Sequence, residues 1–351
     1  MSDMRTCAVS VLETAPVWQG SSPTAALRGA LELARRVEAL GYLRYWVAEH
    51  HNAPFIASCA PPVLAGQIAG VTSTIRVGSG GVMLPNHAPL VVAEQFGTLE
   101  ALNPGRIDLG IGRSPGTDLT TARALCRISS PPGSDVFPGQ VAELVGYFER
   151  PGDVVTAETV VAVPAQENRP QIWLLGSSVH SATLAGSLGL PFAFAHHVRP
   201  QNAVSAMAAY REAFQPSTWS DRPYAMVAAS VIAADSDDHA EWLAGPVGVI
   251  IHESLEGRRN RPNLTPGEAA AYRYSEAERA RVRKGLSDHL IGGPATVRGR
   301  VAELLRATGA DELMAITLIQ DMDDRVRSYE ILADAVACAD PESLSGSAGV
   351  R

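Results

Sequence analysis

The stretch IRVGSGGVMLPNHAPLVVAEQFGTLEALNPGRIDLGIGRSPG, residues 75–116, determines the fold of this 351-residue chain. Ile75–Ser79 has the pattern of a short strand and is followed by a glycine pair. Pro89 suits the first position of a helix, because its φ is fixed and its missing N–H needs no partner there. Arg106–Ile111 alternates as the next strand, and Arg113 follows it. Two successive strands thus carry flexible backbone and a positive charge to one end of a sheet, where a flat anionic ligand is expected.

The glycine pair Gly80-Gly81 has two interpretations. It is either a bulge or bend in the strand, or a place where backbone approaches a flat ring closely or adopts a cis peptide bond, as occurs at active sites. Arg113 is likewise either a surface ion-pair partner or an anion ligand. The sequence around each position leaves both alternatives open.

Eight short strand patterns alternate with helical patterns along the chain. The predicted strands are Thr6–Leu12, Tyr42–Ala48, Ile75–Ser79, Arg106–Ile111, Gln171–Leu175, Pro191–Ala195, Tyr224–Ala233 and Leu313–Ile319. This alternation predicts an α/β fold, a (β/α)8 TIM barrel. A doubly wound open sheet is the structural alternative, but no G-x-G-x-x-G motif opens a helix after the first strand, which argues against a dinucleotide-binding sheet.

We expect residues 1–339 to form a single barrel domain. Residues 251–285 are polar and rich in turn residues, which indicates an insertion late in the barrel that acts as a mobile lid. Residues 340–351 are expected to be a disordered tail.

Candidate functional residues cluster at the predicted C-terminal ends of the strands, where TIM barrels carry their catalytic loops. They are His50, Gly80-Gly81, Arg113, Gly176-Ser177-Ser178 and His197. Free N–H groups at the helix start after Gly176 bind phosphate, although plain N-capping by Ser177 or Ser178 is the alternative. For His197, lining a pocket and making an ordinary hydrogen bond are equally consistent with the sequence. Trp18, in the loop after the first strand, is a candidate to line the substrate pocket.

Composition excludes several function classes. The net charge of −8 gives no basic surface for nucleic acid. The sequence contains no apolar run of 18 residues, so no membrane span is predicted. The start MSDMRTCAV lacks the layout of a signal peptide. The cysteines are scattered without metal-site or disulfide spacing, which fits a reducing cytoplasm; they are Cys7, Cys59, Cys126 and Cys338. No metal is expected at Glu49-His50-His51 either, because adjacent side chains at a strand end point to opposite faces.

Residues 75–116, together with Trp46-Val47-Ala48-Glu49-His50-His51-Asn52 upstream, resemble the bacterial-luciferase-like flavin monooxygenases. The resemblance is dense from Ala8 to Asp118 and resumes at 171–198 and 289–334. It implies a TIM barrel, FMN, dioxygen chemistry, and a homodimer formed through residues 61–73 and 89–102.

The resemblance also implies roles for single residues. His50 matches the catalytic histidine of the family, which can hold or transfer a proton near neutral pH, whereas His51 is expected to be structural. Arg113 and Ser177 match residues that bind the FMN phosphate, with Arg123 as a second contact. Gly80-Gly81 matches a cis peptide beneath the flavin ring. Light-emitting members carry a reactive cysteine where this chain has Gly112, so light emission is not expected.

Taken with the resemblance, the sequence predicts a two-component monooxygenase. It would use reduced FMN from a separate flavin reductase, since no nicotinamide-binding motif is visible, and oxygenate a hydrophobic metabolite by hydroxylation, epoxidation or Baeyer–Villiger insertion. A polyketide intermediate in antibiotic biosynthesis is one such substrate. The alternatives are a deazaflavin-dependent oxidoreductase and a non-catalytic flavin-binding protein.

Overall fold

Eight parallel strands close into a barrel in this computed structural model, which describes residues 7–114, 116–125, 136–149 and 160–337. In chain order the strands are β1 (Ala8–Glu13), β2 (Arg44–Val47), β3 (Arg76–Met83), β4 (Ile107–Gly112), β5 (Gln171–Gly176), β6 (Phe192–Ala195), β7 (Ala225–Ala233), β8 (Leu290–Gly292) and β9 (Glu312–Ile316). All are in the barrel except β8. The ring closes because β1 pairs with both β2 and β9, and β7 pairs with both β6 and β9. The predicted TIM barrel is confirmed, and the open sheet is excluded.

Helices surround the barrel on its outer face. They are α1 (Pro23–Ala39), α2 (Pro61–Val71), α3 (Pro89–Leu102), α4 (Leu119–Leu125), α5 (Phe137–Glu149), α6 (Val163–Glu167), α7 (Val179–Ser187), α8 (Ala203–Ala213), α9 (Asp237–Leu255), α10 (Pro266–Ala270), α11 (Glu276–Leu286), α12 (Pro294–Thr308) and α13 (Met322–Ala337). As predicted, Pro89 is the first residue of its helix. Within the described residues, none of these helices combines the length and apolarity that crossing a membrane would require.

The segment between β7 and β9 holds more regular structure than the sequence indicated. Helix α9 runs to Leu255, and α10 and α11 occupy much of residues 251–285. The three-residue strand β8 then pairs with the last part of β7, where Val231 lies opposite Leu290. The sequence analysis missed β8 because three residues are too few to show an alternation. The lid role of 251–285 stays a prediction, and the predicted tail 340–351 and Cys126 and Cys338 lie outside the described residues.

The interior of the barrel is divided into a polar half and an apolar half. Near the N-terminal ends of the strands, Arg44 donates to Glu312 Oε1 at 3.0 Å and to Asp108 Oδ2 at 2.9 Å. Arg76 also pairs with Asp108, at 2.6 Å, and Trp46 Nε1 donates to the same carboxylate at 2.9 Å. Burial raises the pKa of Asp108, but the two arginines outweigh it and hold that pKa below its usual value.

The upper half of the interior is apolar and contains several small side chains. The buried residues of this cluster are Leu12, Trp46, Ala48, Trp173, Ala193, Met226, Ala228, Met314 and Ile316. Trp46 and Trp173 pack edge to face, with ring centroids 5.3 Å apart, and close the barrel at mid-height. Because alanines and Gly80 follow above them, the interior has room for a ligand toward the C-terminal ends of the strands.

Replacing Asp108 with Ala tests the importance of the buried charges. We expect the free energy of unfolding to fall by about 3–5 kcal/mol, because two buried guanidinium groups lose a partner. The control is Asp235→Ala, which removes an exposed pair with Arg327 and should change the free energy by less than about 1 kcal/mol. Equal effects of the two variants in urea unfolding would contradict this account.

Candidate active site

His50 follows β2 at the C-terminal rim of the barrel. Its backbone N–H donates to Ser58 O at 3.0 Å, and Ser58 Oγ donates to Ala48 O at 2.6 Å, so the loop after β2 folds back on itself and fixes the histidine. Burial lowers the pKa of His50, an effect that the backbone of Gly116 opposes and the charge of Arg259 reinforces. The imidazole is therefore neutral at pH 7 and can accept a proton as well as donate one.

Glu49, immediately before His50, connects the loops that follow β2 and β3. Its carboxylate is buried and accepts hydrogen bonds from His51 Nε2 at 2.9 Å, His87 Nε2 at 3.0 Å and the Met83 N–H at 3.0 Å. Burial raises the pKa of Glu49, but these donors outweigh it and lower the pKa below its usual value. The contact with Glu49 is consistent with the structural role expected for His51.

The peptide bond between Gly80 and Gly81 is cis, as predicted. Strand β3 does not end at Ser79 but continues to Met83, with a register shift between Gly80 and Val82, so the bulge and the cis bond occur together. A Cβ on Gly80 would lie 2.5 Å from Leu12 Cδ1, and one on Gly81 would lie 2.8 Å from Gly110 O. Only glycine fits, and this part of the rim presents backbone rather than side chains.

The turn Gly176-Ser177-Ser178 joins β5 to α7. Ser178 is the N-cap, and its hydroxyl accepts from the Ser181 N–H in a reciprocal capping box, so the N-capping alternative holds for Ser178. Gly176 is required because a Cβ there would collide with the Ser181 side chain. Asn202 Nδ2 donates to Ser177 O at 3.2 Å and fixes the turn. The first N–H groups of α7 and the Ser177 hydroxyl are the groups that suit an anion here.

The two candidate arginines both follow β4 in the chain. Arg113 directly follows β4 and is exposed, and Arg123 is exposed in the last turn of α4. The segment before α4 is tied to the histidine loop, since Thr117 Oγ1 donates to His51 O at 2.9 Å. Arg113 and Ser177 follow the neighbouring strands β4 and β5.

His197 and Trp18 differ in their surroundings. His197 follows β6, with part of its side chain open to solvent and part enclosed by the surrounding protein. Burial lowers the pKa of His197 to about 4, and its Nδ1 donates to Ala228 O at 3.0 Å. Trp18 is 7% exposed and forms a parallel bridge with Asn263, so its loop packs beneath the predicted lid.

These features fit FMN. A phosphate can be held by Arg113 and the start of α7, and a flat ring can approach the backbone of Gly80-Gly81, where no side chain is tolerated. Beside this backbone stand the neutral His50 and the apolar upper half of the barrel. As for metals, no group of three His, Cys, Asp or Glu residues within the described part of the chain is arranged to hold an ion.

The model of the luciferase-like monooxygenases matches residues 7–125 and 139–312. The chain belongs to this family. It is 50% identical to the uncharacterized protein YvbT of Bacillus subtilis, with 93% of this chain and 96% of YvbT covered. It is 45% identical to a luciferase-like monooxygenase of Escherichia coli K12, covering 94% and 97%. The crystal structure of apo-MsnO8 is similar, with 36% identity, a TM-score of 0.85 and 95% and 98% covered.

More distant structures share the fold alone. The oxygenating constituent of 3,6-diketocamphane monooxygenase from Pseudomonas putida, in complex with FMN, has 19% identity, a TM-score of 0.66 and coverage of 95% and 98%. An F420-dependent secondary alcohol dehydrogenase has 14% identity, a TM-score of 0.64 and coverage of 94% and 99%. The scaffold itself therefore serves both flavin and deazaflavin enzymes.

The sequence analysis missed the role of Glu49 and the position of Arg259. A signal for Glu49 was present, because a carboxylate at the end of a buried strand needs donors, and His87 occurs in the next loop. Nothing local marks Arg259, which reaches the rim from a segment more than 200 residues later in the chain.

Replacing Glu49 with Gln tests whether this carboxylate fixes the rim. Gln lacks the charge and one acceptor oxygen, so the Met83 N–H should exchange with deuterium faster. The free energy of FMN binding should become less favourable by about 1.5–3 kcal/mol, the contribution of a hydrogen bond to a charged group.

The control is Glu38→Gln, at the opposite end of the barrel. Glu38 also accepts backbone N–H donors, from Ser73, Thr74 and Ile75, so it matches Glu49 in kind but not in position. FMN affinity that falls equally in both variants would show that Glu49 has no special role at the rim.

Proposed function

We propose that this protein is a two-component FMN-dependent monooxygenase. It takes reduced FMN from a separate flavin reductase and transfers one atom of dioxygen to a hydrophobic organic substrate. The observation that carries this proposal is the convergence of a neutral His50, the Gly80-Gly81 backbone and the Arg113–Ser177 anion site on one rim of the barrel. The relative named N-acetyl-S-alkylcysteine monooxygenase in Bacillus subtilis, 33% identical over 94% of this chain and 98% of its own length, supports oxygenation as the reaction class.

Each group at the rim has a defined task. Arg113, Ser177 and the first N–H groups of α7 bind the FMN phosphate, and Arg123 adds positive charge nearby. Gly80-Gly81 allow the ring system to lie against backbone. FMN, when bound in its reduced form, supplies the electrons that activate dioxygen. His50 holds or moves a proton at an imidazole nitrogen, and Glu49 keeps the loop of this residue in place.

The apolar upper half of the barrel excludes water and accommodates the substrate. Its small side chains, such as Ala48, Ala193 and Ala228, leave room for a sizeable apolar molecule. Exclusion of water from this space also prevents side reactions during oxygen transfer. His197 and Trp18 are proposed to border this space. Hydroxylation, epoxidation and Baeyer–Villiger insertion are all compatible with it, and a natural-product intermediate such as a polyketide has suitable size and polarity.

Several further properties are part of the proposal. The helices α2 and α3 expose Val63, Val91 and Leu102 at 68%, 45% and 75%, which supports a homodimer formed through them. Reduced FMN comes from a reductase because the described barrel offers no nicotinamide-binding motif. A cytoplasmic location is supported by the free thiols of Cys7 and Cys59.

A deazaflavin-dependent oxidoreductase is the alternative, favoured by the shared fold of the F420-dependent secondary alcohol dehydrogenase. The same anion site would then bind the phosphate of the deazaflavin, and hydride transfer would proceed without oxygen. Anaerobic titration of the protein with reduced FMN, oxidised FMN and deazaflavin separates the two. Preference for reduced FMN supports the monooxygenase, and preference for deazaflavin contradicts it. Flavin binding with no product after candidate substrates and, for FMN, dioxygen are added would leave a non-catalytic flavin carrier.

Replacing Arg113 with Ala tests the phosphate site. The dissociation constant for FMN should rise by the equivalent of about 1.5–3 kcal/mol, the net contribution of hydrogen bonds to a charged group, measured by isothermal titration. Arg35→Ala, which removes an exposed arginine of α1, is the control and should leave the constant unchanged. Unaltered affinity in Arg113→Ala would refute the assignment.

Replacing His50 with Ala tests the proton-handling role. Turnover should fall far more than FMN affinity, whereas the control His239→Ala should alter neither. Because burial lowers the pKa of His50 below 6.5, the active enzyme should lose kcat/KM only as the pH falls below 6.5, and the variant should lack this acidic limb. A variant that turns over normally would remove His50 from the reaction.

A further inference from the structure

We infer that Arg259 forms a second anion site at the rim, and that it binds a carboxylate group of the substrate. The inference rests on the proposed function in naming that ligand a substrate, but the anion site itself is defined by geometry alone. It adds one polar requirement to a substrate otherwise described as hydrophobic.

Arg259 is held over the rim by the loop that follows α9. Its guanidinium carbon lies 3.7 Å from the centroid of the Phe55 ring, and Phe55 belongs to the same loop as His50. Asn263 secures this arrangement, because its Nδ2 donates to Val17 O at 3.1 Å and to Phe55 O at 3.0 Å. The insertion is thereby joined to the loops after β1 and β2, and Arg259 is carried into the neighbourhood of His50, whose titration its charge affects.

The guanidinium of Arg259 lacks an anionic partner among the residues that the structure describes. Its Nε atom is buried without a hydrogen-bond partner, and Nη2 reaches only the neutral Asn263 Oδ1, at 3.4 Å. The nearby Glu253 is bound to Arg261 through both Nε and Nη2. Burial lowers the pKa of Arg259 to about 10, so the group still carries its charge at neutral pH.

A half-buried guanidinium without an anionic partner is expected to bind an anionic ligand. Buried or half-buried charges in proteins are nearly always paired, because an unpaired one retains its cost of desolvation. Arginine presents a planar fork of N–H donors that matches a carboxylate. Among the described residues around it, His50 is neutral, and Arg258 is exposed and bonded to His252 Nε2 at 3.1 Å. Within this part of the chain, Arg259 is therefore the positive charge available to a ligand. A monoanion is therefore the fitting occupant.

The site of Arg259 is separate from the proposed phosphate site. Phe55 and Asn263 attach Arg259 to the loops after β1 and β2, whereas Arg113 and Ser177 follow β4 and β5. Strand β3, with the Gly80-Gly81 backbone, lies between them. A ring resting on that backbone would have its phosphate on one side and Arg259 on the other, so the two cationic sites bind different anions.

The test is equilibrium binding of matched acids and amides to the protein saturated with oxidised FMN. The probes are benzoate and hexanoate, with benzamide and hexanamide as their neutral counterparts and benzenesulfonate as a second monoanion. Wild-type protein should bind each acid about tenfold more tightly than its amide, the preference that one charged hydrogen bond of roughly 1.4 kcal/mol supplies. Arg259→Met, which keeps apolar packing on Phe55, should abolish this preference, and Arg259→Lys should restore part of it.

The matched control is Arg261→Met, which removes a neighbouring arginine already paired with Glu253 and should keep the preference. Equal binding of acids and amides, no binding of either, retention of the preference in Arg259→Met, or binding of benzenesulfonate alone would each overturn the inference. A loss of FMN affinity in Arg259→Met would reassign the residue to the cofactor. Because the test measures binding and not turnover, its result can still be interpreted if the monooxygenase proposal fails.

Discussion

The buried pairing of Arg44 with Asp108 and Glu312 is the interaction on which the architecture of this molecule depends. It fills the N-terminal half of the barrel with charges that satisfy one another, and the pair Trp46 and Trp173 closes the barrel above them. The small side chains that leave room for a ligand lie above this layer, toward the C-terminal rim. The candidate residues of the site accordingly lie in the last parts of the strands and in the segments that follow them.

The rim itself is organised by a second buried carboxylate. Glu49 gathers donors from the loop after β3 and from His51, and this leaves the adjacent His50 fixed, desolvated and neutral. The Gly80-Gly81 backbone and the start of α7 supply surfaces that a flat ring and a phosphate can contact. In the proposed complex, Arg113 would lie on one side of the ring and Arg259 on the other, so the site could hold two anions without bringing them together.

Much of this could be predicted from sequence, because the strands are short, apolar and separated by glycine and proline. The predicted strands agree with the observed barrel strands to within a few residues, and the cis bond at Gly80-Gly81 was anticipated through the family resemblance. The continuation of β3 to Met83 was missed, since glycines are poor markers of strands. Arg259 and the Asn263 contacts could not be predicted, because they depend on how a distant insertion folds over the rim. The predicted tail and the lid behaviour remain predictions.

The central claim is that the rim activates dioxygen with reduced FMN. The most direct measurement is rapid mixing of the anaerobic complex of protein and reduced FMN with oxygenated buffer, followed by absorbance. The account predicts a spectrum distinct from both reduced and oxidised FMN that persists far longer than free reduced FMN survives under the same conditions. Immediate appearance of the oxidised FMN spectrum, at the rate of free FMN and unchanged in His50→Ala, would contradict it.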